Sequence, residues 1–162
     1  MAATVVAAEL DRAGLAGRVV VDSAGTGNWH QGEPMDPRAR AELSRRGYDG
    51  SAHRARQINR SWLSRYDLIL AMDHSNLRNL ELMAAGQPGA AGRVALLRSF
   101  DPAADAQAQV PDPYDGADSG FATVFEIVAA AARGLARQLA SHLGKPGQPA
   151  GPQPAGPLPA GG

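Results

Sequence analysis

The 162 residues are 44% hydrophobic and 20% charged, the balance of one soluble globular domain. Sixteen basic residues offset sixteen acidic ones, so no net field recruits nucleic acid or an anionic membrane. Cysteine is absent, which removes disulfides, thiolate metal sites and any thiol nucleophile from these residues. No apolar run reaches the roughly 20 residues of a membrane span and no signal peptide opens the chain, so a cytoplasmic location is expected.

Taken in chain order, Met1–Ala13 spaces Val5, Val6, Leu10 and Ala13 as a helix, which Gly14 or Gly17 stops. Arg18–Ser23 is a short β-branched run that opens into the glycine-rich turn Ala24–Gly27 and reads as a strand. The loop beyond it carries Trp29, His30, Glu33 and Pro34. Asp36-Pro37 starts a helix, an acceptor at the N-cap followed by proline at N1, that runs to Arg46 with Gly47 as C-cap. Ser61–Arg65 reads as a short helical turn, Asp67–Asp73 as a buried strand ending in a carboxylate, and Ser75 as the cap of a helix bearing Leu77, Leu80, Leu82 and Met83.

Arg93–Leu97 is a third short strand. A polar loop then holds Asp101-Pro102 and Pro111-Asp112-Pro113-Tyr114, and a final helix spans about Gly120–Leu143 with Phe121, Val124, Phe125, Ile127, Val128, Leu135 and Leu139 as its core face. Residues 144–162 hold six glycines, six prolines and one charge, and are expected to be a disordered tail. A proline-rich ligand for an SH3-type groove is the competing reading of that tail. Residues 1–143 form the expected folded unit. Strands alternating with helices imply an α/β domain with a parallel sheet and right-handed crossovers. Ligands in such sheets bind beyond the carboxyl ends of the strands. The loops at Ser23–Gly32, Asp73–Asn76 and Asp112 converge there.

Five segments carry a resemblance: Val21–Trp29, Gly32–Ala39, Ser51–Gln57, Leu70–Leu77 and Pro111–Tyr114. In this order and spacing they resemble the low-molecular-weight protein tyrosine phosphatases. The resemblance implies a three-layer α/β/α fold of the phosphotyrosine protein phosphatase I type. It also implies hydrolysis of phosphotyrosine in a protein, or of a small aryl phosphate, through a cysteinyl-phosphate. No metal or other cofactor, nucleic acid or membrane is implied. Members of the family begin with a central strand and a C-x5-R-S-P phosphate loop. Met1-Ala2-Ala3 resembles the residues just after that proline, so the nucleophile, the phosphate-gripping arginine and the first central strand are expected ahead of residue 1.

Among the residues present, Asp112 matches the family's general acid and base; an exposed turn aspartate is the plain alternative. Ser23 and His53 match polar groups that hold the phosphate loop. A turn serine and a capping or core histidine compete with that reading. Asp73 either supports the missing arginine or caps the following helix. Trp29 and Tyr114 match the walls of the slot for the aromatic ring. The family's frequent second tyrosine is replaced by Asp115, which adds a negative charge beside an anionic substrate. The basic stretch His53–Arg56 reads as a solvated surface run, and Gly25-Thr26-Gly27 is too short a signal for a nucleotide site.

Loss of a central strand would leave about ten backbone groups unpaired at roughly 1 kcal/mol each, against a typical total stability of about 5–15 kcal/mol. The expectation is therefore a chain that starts elsewhere than Met1 and, as written, does not turn over. A non-catalytic binding relative is the alternative. An arsenate reductase on this fold ranks lowest, because it needs further cysteines downstream.

Overall fold

A computed structural model describes residues 1–87, 89, 91–114 and 119–144; Asp115 and the expected tail from Lys145 onward lie outside them. The helices are α1 (Ala2–Arg12), α2 (Pro37–Arg45), α3 (His74–Ala84) and α4 (Ser119–Leu143), and the strands are β1 (Ile69–Ala71) and β2 (Val94–Leu96). The strands pair in parallel, with Ile69 opposite Val94 and Ala71 opposite Leu96. Helix α3 is the crossover between them, which makes a βαβ unit.

The side-chain alternation of β1 divides the interior in two. Leu68, Leu70 and Met72 pack with the larger core, where α1, α2 and α4 meet around Val5, Leu10, Leu43, Phe125 and Val128. Ile69 and Ala71 face the opposite way, into a smaller core with Leu63, Leu80, Ala84 and Leu96 under α3. Helices thus cover both faces of the parallel pair, the expected α/β/α layering.

The helix ends follow from the sequence. Gly14 (φ +76°) follows the Ala13 C-cap of α1, a conformation glycine adopts without a Cβ penalty. Asp36 caps α2 by accepting from the amides of Arg38 and Ala39, with Pro37 at N1. The far end of α4 is closed by Arg18, which donates to the carbonyls of Leu143 (2.7 Å) and Gly144 (2.9 Å).

Three expectations are corrected. Arg18–Ser23 forms no ladder: Val19 and Val21 lean on the larger core while Val20 is exposed. Its residues have strand chemistry, but among the described residues no extended neighbour lies alongside to accept their backbone bonds. The cap of α3 is Asp73, not Ser75; Asp73 Oδ1 accepts from the Asn76 amide at 2.6 Å. Leu82, expected along an apolar helix face, points to solvent because both cores lie on the other side of α3.

Candidate active site

Two clusters form among the loops. The first joins the end of β1 to the acid loop. Val110 N–H donates to Met72 O (2.8 Å), and the Gln109 side chain accepts from the His74 amide (2.9 Å). Arg98 adds a bond to Gln109 O at 3.0 Å. These ties lay residues 109–112 against the start of α3 and leave an open cleft of about 470 Å³ lined by Asp73, His74, Arg78, Gln109 and Asp112. Asp112 is exposed, and its Oδ1 accepts from the Tyr114 amide at 3.0 Å, which folds Pro113 into a tight turn.

The second cluster holds Ser23 and His53. Gly25 N–H donates to Arg56 O (2.8 Å), Ile58 N–H to Gly25 O (2.9 Å) and Gly32 N–H to Ala55 O (2.8 Å), lacing the Ser23–Pro34 loop to the segment from His53 to Ile58. Both Ser23 and His53 are half-buried, and among the described residues the Ser23 hydroxyl has no hydrogen-bond partner. Burial holds the His53 imidazole below its usual pKa, and the Met1 ammonium and Arg54 push the same way. The start of α1 is therefore close enough to His53 for its charge to be felt. The Met1 ammonium is itself depressed by burial.

Trp29 and Tyr114 are both exposed, as groups open to a ligand are. His30, the next residue after Trp29, lies 6.1 Å from the Tyr114 ring and pairs with Glu33 at 2.8 Å. Tyr114 is also overlain by the Arg38 guanidinium. The structure thus brings Asp73 to Asp112, Ser23 to the His53 segment, and the Trp29 loop to Tyr114. Among the described residues no hydrogen bond joins the Ser23 and His53 pair to the Asp73 and Asp112 pair. No group of three or more His, Asp or Glu side chains among those residues is placed to hold a metal ion. Nor is any helix there long and apolar enough to cross a membrane.

Both arginines of the basic stretch 53–56 are exposed, as expected of a surface run, yet Arg56 is partnered. Arg56 pairs with Asp22, donates to Ser23 O at 3.1 Å and lies over the Trp62 ring; Tyr66 Oη donates to the other Asp22 oxygen at 2.8 Å. Arg56 therefore fixes the residue next to Ser23. Asp73 acts as a helix cap, one of its two expected roles.

The residues that sequence reasoning passed over are Arg38 and Gln109. Gln109 leaves no local trace. Arg38 does leave one, because a cation in the first turn of a helix opposes the helix dipole and so suggests a partner outside the helix.

This arrangement matches known proteins over nearly the whole described length. The family model for low molecular weight phosphotyrosine protein phosphatase matches residues 1–145. A low molecular weight protein-tyrosine-phosphatase of Streptomyces coelicolor is 49% identical over 136 residues, covering 83% of this chain and 82% of that protein. Low molecular weight protein-tyrosine phosphatase A of Mycobacterium tuberculosis is 41% identical over 136 residues, covering 83% of this chain and 80% of that one. Among solved structures, a protein tyrosine phosphatase from Entamoeba histolytica superposes with a TM-score of 0.80 at 28% identity, covering 88% of each chain. By sequence and by fold, the chain belongs to the low molecular weight phosphotyrosine protein phosphatase family.

Proposed function

We propose that residues 1–143 supply the acid, the aromatic walls and the supporting polar groups of a protein tyrosine phosphatase. In this reading the cysteine and phosphate loop come from a segment joined ahead of Met1, and residues 144–162 are an appended tail. The observation that carries it is the meeting of Asp112 with the end of β1 and of the Trp29 loop with Tyr114, with no thiol among the 162 residues. Among the described residues β1 pairs only with β2 and the Val19–Ser23 run joins no strand, which supports a strand between them.

In the intact site the thiolate sulfur attacks phosphorus, forming the S–P bond as the bond to the aryl oxygen breaks. The Asp112 carboxyl gives its proton to that oxygen, so that phenol rather than phenolate leaves. The Asp112 carboxylate then takes a proton from water as the water oxygen attacks phosphorus and the S–P bond breaks, returning the thiolate and inorganic phosphate. Ser23 and His53 hold the phosphate loop with its amides turned inward. Trp29 and Tyr114 present apolar faces to the substrate ring. A catalytic thiolate needs a reducing compartment, which favours the cytoplasm.

The test is hydrolysis of phosphotyrosine by the chain expressed with a strand and C-x5-R-S-P loop ahead of Met1. Turnover is expected, and Asp112→Asn should slow it by about 10²–10⁴-fold. The 162 residues alone should give none. A loop-bearing chain that folds and stays inactive would favour the second reading, a binding relative. The cysteine-free sequence is the observation behind that alternative.

A further inference from the structure

We propose that Arg38 is the positioning residue that holds the acid loop in its proton-donating geometry. The inference rests on the reading of Asp112 as the acid and adds to it a residue on another element. Arg38 Nη2 donates to Tyr114 O at 3.1 Å, and its guanidinium lies 5.5 Å from the Tyr114 ring and 4.8 Å from the Phe121 ring. The same side chain is braced from behind by Asp36, whose Oδ1 and Oδ2 accept from Nε (3.3 Å) and Nη2 (3.1 Å). Asp36 is in turn fixed as the cap of α2 through the Arg38 amide at 2.7 Å.

These contacts run in series to the acid. Tyr114 O is gripped by Arg38, while the Tyr114 N–H is the donor to Asp112 Oδ1. Holding Tyr114 by its carbonyl and its ring steadies the residue whose N–H orients the carboxyl group two residues back. Pro113 between them lies flush on α4, where a Cβ at Gly120 would come within 3.3 Å of the Pro113 Cβ. The upstream side of the loop is already anchored by Gln109 and Val110 at the end of β1. Arg38 is the matching clamp downstream. Only a planar fork with several donors bonds the Tyr114 carbonyl, meets both Asp36 oxygens and stacks on two rings at once. Its place in the first turn of α2, unfavourable for a cation, is offset by those partners.

The experiment compares phenyl phosphate, whose leaving group needs a proton, with 2,4-dinitrophenyl phosphate, whose leaving group does not. It uses the chain carrying the phosphate loop ahead of Met1. Asp112→Asn should lose activity mainly on phenyl phosphate. Arg38→Met, which keeps an apolar stem against Phe121, should lose about tenfold more kcat/KM on phenyl phosphate than on the activated ester. In the double variant Arg38→Met should add nothing to Asp112→Asn, because both act on one proton transfer.

Equal losses on both esters, no loss, or losses that add in the double variant would overturn the proposal. If Arg38→Met does not fold, Arg38→Lys takes its place. One donor to Tyr114 O without the fork should give a smaller loss with the same leaving-group bias, and equal losses on both esters would again refute the clamp. Failure of the underlying reading has a separate signature: Asp112→Asn itself would show no leaving-group bias.

Discussion

A Cβ placed on Gly27 would lie 1.6 Å from Cζ3 and 2.0 Å from Cε3 of Trp29, so the indole rests directly on the glycine backbone. The other side of the ring is open to solvent, with Trp29 82% exposed. Gly27 therefore sets the position of the Trp29 ring, the proposed wall of the substrate slot. In Gly27→Ala the ring must swing off its seat. In the loop-bearing chain, kcat/KM for an aryl phosphate should fall by about tenfold, or about 1.4 kcal/mol, with little change for an alkyl phosphate. Steady-state kinetics on the two esters checks this; an equal fall on both would mean that Trp29 does not contact the ring.

The His53 environment predicts a pH dependence of stability. Burial, then the Met1 ammonium, then Arg54 depress its pKa from the ordinary 6.5. The folded protein accordingly binds this proton less readily than the unfolded chain. The contribution of neutral His53 is complete above about pH 6.5 and is lost as pH falls through that value toward the folded pKa. Thermal melts in steps from about pH 7.5 to about pH 5.5 should show Tm falling more in the parent than in His53→Gln. Residues joined ahead of Met1 replace its ammonium with an amide, leaving burial and Arg54 to act in the same direction with a shallower slope.

Gly134 lies in α4 against the 3₁₀ turn Leu97–Phe100, and a Cβ there would meet Phe100 O at 1.7 Å. Helix propensity alone favours alanine over glycine by about 1 kcal/mol. Contact with a backbone carbonyl should reverse that sign and destabilise the protein by about 1–3 kcal/mol. A Tm lowered by several degrees in Gly134→Ala is the expected result, at about 2–4 °C per kcal/mol for a chain of this size. A raised Tm would mean that α4 stands off the turn.

What the sequence revealed depended on how local the cause was. Asp36-Pro37 specifies its helix start within four residues, and the apolar spacing of α4 predicts the face that Phe121, Phe125 and Val128 bury. The run through β1 has the composition of a strand covered on both faces, and Leu70 and Ala71 do enter opposite cores. Arg18–Ser23 has the same composition, but a strand needs a neighbour that local residues do not supply.

The candidate site shows the same division. Asp112, Tyr114 and Trp29 were legible as members of motifs in register. The ties that place them, Arg38 to Tyr114 and Gln109 to His74, span 76 and 35 residues and exist only after folding. Asp73 and Ser75 are both good caps by chemistry, and the geometry of the chain entering α3 decided between them.

In the proposed reading these residues serve a phosphatase whose nucleophile precedes them. Intact mass with N-terminal peptide mapping of the protein from its native cells tests it most directly. The predicted result is a mass above that of the 162 residues, with a peptide carrying a C-x5-R sequence ahead of Met1. A native chain that begins at Met1 and still hydrolyses phosphotyrosine, or one whose upstream peptide lacks cysteine, would contradict it.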